Sequence, residues 1–441
     1  MMPGARLQAA IELLGQIHGG SAPADRTSAA YFRGRRYIGG TDRREILDLT
    51  YSVLRRRAAL DWRIEQVPGE DHLADNERAR IIAKLVLIDH WSPDKIAGAF
   101  DGGRYRPQPL DRAEKQLAKG LQGQELIDWQ SPPWVRLEYP RWFEDRLKKT
   151  FGAELEHEMA QQIGEAATDL RVNALKATRA QAIEALAAEG VEARATQLSP
   201  YGLRLEGRTP LASLKCFMNG LIEVQDEGSQ LVGLLCDARP GMRVVDFCAG
   251  AGGKTLAIAA QMQNKGKIVA CDVLEGRIER AGVRFKRAGA HNIERRGLSS
   301  ERDPWVKRHA GAFDRVLVDA PCSGAGTWRR NPDAKWRLTP EGLHELIDLQ
   351  QRILESAARL VKPGGRLIYA TCSLIAEENR DQVDAFLAAN PNFSLLPIAR
   401  VWRETIGDTP CPAQGDTLSL TPARNHTDGF FVAVMERKQV A

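Results

Sequence analysis

Two of the seven cysteines stand where a thiol can do chemistry. Cys322 lies in Asp319-Ala320-Pro321-Cys322-Ser323-Gly324, just after an apolar run, Phe313–Asp319, that reads as a strand. Cys372 lies in Thr371-Cys372-Ser373, after a second such run, Arg366–Thr371. Both therefore fall at carboxyl ends of strands, the edge of an open α/β sheet where the ligand crevice opens. One cysteine there is most simply a buried packing residue. Two on one edge, each beside a polar loop, point to covalent work. One thiolate can add to an electron-poor carbon while the other assists departure of the product. Thiols with pKa near about 8.5 are only slightly ionised at neutral pH, so a cation such as Lys254 would help. The other cysteines, Cys216, Cys236, Cys248, Cys271 and Cys411, are scattered and form no C-x-x-C pair. A disulfide framework, a zinc site or any other metal site is not expected.

A second constellation lies upstream. Asp246-Phe247-Cys248-Ala249-Gly250-Ala251-Gly252-Gly253-Lys254-Thr255 joins a short strand, Val244–Phe247, to a helix, Lys254–Gln263. Its glycines let backbone approach a ligand closely, and the helix start offers unpaired N–H groups. Two phosphate patterns fail here. The P-loop needs glycine at 248, which is Cys248, and G-x-G-x-x-G needs glycine at 255, which is Thr255. The next strand, Ile268–Cys271, ends at Asp272, where an acid commonly grips a ribose diol. Asp272 is also placed to be a plain helix cap. A ribose-gripping acid beside a loop that misses both phosphate patterns suits an adenosine ligand without phosphate. That points to S-adenosylmethionine.

Together these features suit methylation of cytosine at C5. That carbon is a poor nucleophile until a thiolate adds to C6 and makes C5 enamine-like. The C5 proton must then leave and the thiol be eliminated, which needs a general base. Asp319 can hydrogen-bond the base edge. Strand position alone leaves the two cysteines interchangeable.

The elements that must position these groups alternate from about Arg239 onward. Glu275–Ala288 is amphipathic, with Ile278, Ala281, Phe285 and Ala288 on one face and Arg277, Arg280, Arg284 and Arg287 on another. Glu341–Leu360 and Glu377–Ala389 read as helices, and Phe430–Met435 as a last strand. The expected fold class is α/β, a Rossmann-like domain over 236–441 with a parallel doubly wound sheet. A small α/β module over 135–235 precedes it, with a half-buried strand at Leu170–Leu175 and helices at Glu154–Ala167 and Ala180–Gly190. Residues 1–130 read as all-helical, with Arg6–Ile17, Arg43–Arg57 and Ala79–Asp89 as helices. Thr41, followed by Asp42 and Glu45, resembles a helix start.

The 441 residues carry 62 basic and 57 acidic side chains, a net charge of +5, which says little about partners. Distribution says more. Arg33, Arg35, Arg36, Arg43, Arg44, Arg55, Arg56, Arg57 and Arg63 face only Asp42, Glu45, Asp48 and Asp61 in that stretch. Such an excess attracts phosphates; a solvated helical face is the plain alternative. No run approaches the length of a membrane span and the first residues are not a secretory signal, so a cytoplasmic protein with no membrane partner is expected, a monomer by default.

At this point the motifs are recognisable. The chain resembles the NOP/Sun family of RNA cytosine-5 methyltransferases, most closely its bacterial small-subunit ribosomal RNA branch. The Asp246–Thr255 loop, Asp319–Ser323, Thr371–Ser373, Val224-Gln225-Asp226-Glu227-Gly228-Ser229-Gln230 and Asp428-Gly429-Phe430-Phe431 carry the resemblance. It implies that Cys372 is the nucleophile, that Cys322 assists product release, and that Asp319 and Lys254 act at the target base. It implies S-adenosylmethionine contacts from Asp246, Cys248, Ala249, Gly250, Ala251, Gly252, Gly253, Lys254, Asp272, Arg277, Ser299 and Asp319. It also implies an antiterminator-like RNA-binding fold for the helical part and ribosomal RNA, 16S above all, as partner.

Two departures bear on the cofactor. Gly250-Ala251 replaces the usual Ala-Pro, which frees the backbone modestly. Gly297-Leu298-Ser299-Ser300 stands where the family places an acid near the adenine, leaving Ser299 or Asp303 to serve. Transfer RNA as substrate, or a non-catalytic RNA-binding assembly factor, are the competing readings. Arg329, Arg330 and Arg337 suit RNA contact or a solvated loop, and Trp328 and Trp336 suit base stacking or core packing.

Overall fold

Alternate residues of the apolar runs point to opposite faces of one sheet, and both faces are covered. Val244, Ile268, Leu317 and Ile368 enter one buried cluster, while Val245, Val269, Val316, Val318 and Tyr369 enter another. Burial on both faces is why these strands read as continuous apolar stretches. The computed structural model describes residues 1–69, 71–207 and 209–439. It groups Ala166–Thr327 with Pro340–Ala441 as one unit, and Met1–Glu165 with Trp328–Thr339 as another.

The larger unit holds two sheets. The first is antiparallel, ordered β2-β3-β1-β4, from β1 (Asp169–Val172), β2 (Ala193–Ala195), β3 (Gly202–Leu205) and β4 (Ile222–Val224). Its helix, Arg179–Ala188, starts with a reciprocal capping box between Thr178 and Gln181.

The second sheet contains β5 (Arg243–Asp246), β6 (Lys267–Asp272), β7 (Ile293–Gly297), β8 (Phe313–Asp319), β9 (Val361–Thr371), β10 (Phe393–Leu395), β11 (Leu418–Leu420) and β12 (Phe430–Arg437). Its order is β10-β12-β9-β8-β5-β6-β7, with β11 on β12. Strands β5 to β9 are mutually parallel. The order reverses at β5, which opens a crevice outside the carboxyl ends of β5 and β8.

The sheet is parallel over β9, β8, β5, β6 and β7 and antiparallel at the side of β10, β11 and β12. Strand β12 runs against β9, and β10 and β11 run against β12. The reason lies at the turn. Gly429 N–H donates to Gly326 O at 2.8 Å, so the chain re-enters at the edge where β9 ends and must run back along it. Strand β9 also starts earlier than expected. Val361 pairs with Phe313, Arg366 pairs with Arg315, and Pro363-Gly364-Gly365 is accommodated by a bulge between them. Strand β7, Ile293-Glu294-Arg295-Arg296-Gly297, offers no apolar run to read, because it is a mostly polar strand at the sheet edge.

The other unit is built on helices Pro3–His18, Gly40–Arg55, Arg57–Glu65, Glu77–Leu87 and Arg112–Leu121 around a core that includes Leu13, Ile46, Leu60, Ile81 and Leu117. Thr41 is not the cap expected of it. Gly39 occupies that place, and Asp42 and Glu45 accept instead from the Arg6 guanidinium. Among the nine arginines, Arg33, Arg36 and Arg44 are exposed. Others are committed within the fold: Arg63 pairs with Asp128, Arg57 with Asp75, and Arg35 lies 3.8 Å over the Tyr31 ring. The Trp328–Thr339 segment is equally committed. Trp328 is 1% exposed and packs on Phe143 at 5.5 Å, and Trp336 Nε1 donates to Leu54 O at 2.8 Å. Trp328 is therefore a core residue, and no face of it is free to stack on a base.

Candidate active site at the carboxyl edge of the sheet

The glycine loop is held by backbone geometry that only glycine tolerates without strain. Gly250 and Gly252 have φ of 57° and 79°. A Cβ on Gly252 would lie 2.3 Å from the Phe285 ring. Asp272 fixes the loop from the next strand: its carboxylate accepts from Gly250 N–H and Leu274 N–H, both at 2.8 Å. Asp246, at the end of β5, is fully buried. Its Oδ2 accepts from Thr255 Oγ1 at 2.7 Å, while Oδ1 has no partner. Burial raises its pKa to about 7, against the lowering effect of Thr255. A buried carboxylate oxygen without a partner, at a helix start and a chain-reversal crevice, is a place built for a donor from a ligand.

The two cysteines meet. Cys322 Sγ and Cys372 Sγ lie 3.3 Å apart, each half-buried. Backbone ties bring them there: Gly326 N–H donates to Cys372 O at 2.9 Å. A Cβ on Gly326 would lie 2.3 Å from Gly429 O, so the Asp428-Gly429 motif serves this close approach. The Cys372 hydrogen bond, then burial, then the neighbouring charges of Cys372 and Glu378 hold the Cys322 thiol well above the usual thiol range.

A cation stands beside them. Lys254 Nζ donates to Asp319 Oδ2 at 2.7 Å and lies 5.3 Å over the Phe430 ring. Burial alone would favour neutral Lys254, but Asp319 first, and then the charge of Cys372, outweigh it and raise its pKa. Cys322, Cys372, Lys254, Asp319, Asp246 and the glycine loop thus converge on one edge.

The remaining candidates are more peripheral. The Arg277 guanidinium lies 3.3 Å from the Cβ position of Gly250. Ala249 N–H donates to Cys271 O, and Ala251 O accepts from Arg284. Cys248 is half-buried, and desolvation pushes its thiol well up. Ser299 N–H and Oγ both donate to Asp303 Oδ2 at 2.9 Å. That turn brings the Asp303 carboxylate back to the end of β7, and its two backbone partners, Ser299 and Trp305, hold it below the usual carboxylate range.

Residues 234–436 match a family model described as 16S rRNA methyltransferase RsmB/F, and residues 139–212 match the ferredoxin-like domain model of the same group. A probable ribosomal RNA small subunit methyltransferase B of a Synechocystis strain is 33% identical over 417 residues, covering 90% of this chain and 91% of that protein. The chain belongs to the RsmB/F family. This family of methyltransferases lies within the NOP/Sun group that the motifs indicated. The Salmonella newport ribosomal RNA small subunit methyltransferase B is 28% identical over 91% of this chain and 92% of its own length. The crystal structure of PH0851 superposes with a TM-score of 0.79 at 28% identity over 99% of both chains. A methyltransferase homologue from Pyrococcus horikoshii gives a TM-score of 0.58 at 29% identity, over 69% of this chain and 97% of its own.

Within this RsmB/F chain, several supporting residues escaped the sequence reading. Arg284 and Arg287, read as a basic helix face, pair with buried Glu223 of β4. Arg171 of β1 donates to Gly253 O at 2.8 Å and so braces the glycine loop from the small sheet; burial lowers its pKa to about 10. Gln225 presents an unpartnered buried Oε1. Glu227 accepts from Leu198 N–H and Ser199 N–H, and Asp226 from Gly228 N–H, so most of the Val224–Gln230 motif is a structural joint. The available signal was acids and amides inside apolar surroundings, which implies partners without naming them.

Proposed function

We propose that this protein transfers a methyl group from S-adenosylmethionine to C5 of a cytidine in ribosomal RNA, 16S RNA above all, through a covalent bond between Cys372 and C6. The observation that carries this reading is the 3.3 Å approach of the two sulfurs beside the Lys254–Asp319 pair, at the edge that bears the glycine loop.

The residues present fit the cofactor. Asp246 Oδ1 is a buried acceptor without a partner, suited to the amino group of the methionine moiety. Asp272 stands at the end of β6, where a ribose diol binds, and Gly250 to Gly253 leave room for close backbone contact. Arg277 flanks the same loop, and Ser299 and Asp303 stand just after β7. When bound, the cofactor supplies an electrophilic sulfonium methyl.

The chain supplies the rest. Lys254 stabilises negative charge at the cysteine pair. Cys372 Sγ adds to C6 of cytosine, electrons move to C5, and C5 takes the methyl. Asp319 holds the N3 edge and stabilises charge there. Cys322, kept as a thiol by its surroundings, assists departure of sulfur from C6 while the C5 proton passes to a water molecule acting as base. This last step breaks the C6–sulfur and C5–H bonds, restores the Cys372 thiolate and the aromatic base, and releases one proton to solvent, so atoms and charge balance.

The ribosomal assignment is supported by the relatives of matching length. Bisulfite sequencing of total RNA from a deletion strain tests it: one cytidine in small-subunit RNA should lose its mark. Loss confined to transfer RNA would overturn the substrate and leave the chemistry standing.

A further inference from the structure

Each catalytic cysteine is followed by a serine, and both serines donate to one buried carboxylate. Ser323 Oγ donates to Glu378 Oε2 at 2.5 Å, and Ser373 Oγ donates to the same oxygen. The two hydroxyls also touch each other at 3.2 Å. On the other oxygen, Glu378 Oε1 accepts from Ser323 N–H at 2.8 Å and from Gln350 Nε2 at 3.0 Å. Glu378 is 0% exposed. Its four donors are all neutral groups.

The surroundings hold this carboxylate in place. Tyr369 Oη donates to Glu378 O at 2.7 Å. Asn379 takes a hydrogen bond from Thr371 Oγ1 and donates to Ser373 O at 3.0 Å. Gln350 also reaches Pro321 O at 2.9 Å. The network therefore spans Pro321, Ser323, Thr371 and Ser373, the residues that flank both cysteines.

We infer that Glu378 is a positioning residue that clamps the Cys322 and Cys372 loops together and sets the separation of their sulfurs. It touches neither sulfur in the structure and acts through Ser323 and Ser373. Holding reactive groups at fixed separation is what such supporting contacts supply. The inference rests on the proposed reading in which both thiols act in one cycle.

The test measures the thiol pair directly, without methylation. In a glutathione redox buffer, the two protein thiols and one glutathione disulfide exchange to one Cys322–Cys372 disulfide and two glutathione thiols. Peptide mapping gives the equilibrium constant, which reports how well the sulfurs are held together. Glu378→Ala should lower it by about ten- to a hundredfold, the scale of buried hydrogen bonds to a charged group. Glu378→Gln keeps the shape: its carbonyl oxygen can accept from Ser323 N–H and Gln350 while its amide N–H groups donate to the rotatable Ser323 and Ser373 hydroxyls, so it should restore the constant to within about threefold of wild type. Affinity for S-adenosylhomocysteine, read by calorimetry, should stay within about twofold in both. With RNA and cofactor, Glu378→Ala should accumulate protein–RNA adduct, because product release needs Cys322 in place.

A wild-type thiol equilibrium in Glu378→Ala overturns the inference, as does an equal fall in cofactor affinity. If Glu378→Ala does not fold, the double change Ser323→Ala and Ser373→Ala cuts the same clamp from the other side. A matching fall there supports the inference, and an unchanged constant overturns it. Absence of any adduct from every variant would count against the proposed function, while the thiol equilibrium would still decide the role of Glu378.

Discussion

Lys254 Nζ sits 2.7 Å from Asp319 Oδ2, and this ion pair is part-buried at the mouth of the crevice. Lys254 lies in the first turn of the helix after the glycine loop and Asp319 ends β8, so this contact joins the glycine loop to the Cys322 loop. Replacing Lys254 with Met keeps the stem and removes the charge. It should lower kcat by about a hundred- to a thousandfold, the effect of removing one preorganised electrostatic contact. Iodoacetamide labelling of Cys372 should slow in parallel. Single-turnover kinetics and peptide mapping read both. Unchanged labelling would show that the lysine does not serve the thiol.

The role proposed for Asp246 would make cofactor binding depend on pH. Its pKa is raised to about 7 because the carboxylate is buried. In the free protein, the protonated form is favoured by folding. The stabilising contribution is therefore fully present below the unfolded carboxyl pKa of about 3.9 and is lost as pH rises through about 7. A cationic ligand group wants the ionised form. Affinity for S-adenosylhomocysteine should accordingly rise between about pH 6 and about pH 8. Asp246→Asn should bind weakly at every pH and should flatten the fall in melting temperature between about pH 4 and about pH 7. Calorimetric titration and thermal melts at several pH values check both halves.

Lys335 and Glu138 form a buried polar pair in the helical unit. Lys335 Nζ donates to Glu138 O at 2.6 Å, and the Glu138 carboxylate accepts from Ala58 N–H and Ala59 N–H at 3.0 and 3.3 Å. Burial raises Glu138 to about 7 and lowers Lys335 to about 8, each against the attraction of the other. Glu138→Ala keeps the carbonyl that Lys335 holds, but it removes the carboxylate whose attraction offsets the burial of Lys335 and leaves the buried Ala58 and Ala59 N–H groups unpaired. Glu138→Ala should cost about 3–5 kcal/mol in urea unfolding of this unit. A loss below about 1 kcal/mol would mean that Lys335 reaches water.

Trp328 was open to two readings in the sequence, and burial decides between them. Trp328→Ala should cost about 3–5 kcal/mol, the scale of emptying a large aromatic site in a core. RNA affinity, measured at a temperature where the variant is folded, should be nearly unchanged. A variant of wild-type stability that lost RNA affinity would restore the stacking reading.

The sheet was legible because both its faces are buried. Val244, Val245, Ile268 and Val269 leave no polar residue to confuse a strand with a helix face. Strands β7 and β10 were not legible, since Ile293–Gly297 is mostly charged and Phe393–Leu395 is three residues long. The direction of β12 was hidden for another reason. It depends on the contact of Gly429 with Gly326, about a hundred residues apart along the chain, which no local pattern records. The same limit applies at the site. The residue types of Cys322, Cys372, Lys254 and Asp319 suggested chemistry, and strand ends suggested a shared edge. The pairing of Arg284 and Arg287 with Glu223, and the convergence of Ser323 and Ser373 on Glu378, depend on tertiary packing alone.

The division of labour between the two cysteines is tested most directly by trapping the covalent complex. Cys322→Ala and Cys372→Ala proteins would be incubated with substrate RNA and S-adenosylmethionine, then run on a denaturing gel. Cys322→Ala should accumulate a protein–RNA adduct that survives denaturation, and Cys372→Ala should form neither adduct nor methylated product. Methylation by Cys372→Ala, or an adduct formed by Cys372→Ala and not by Cys322→Ala, would contradict the account.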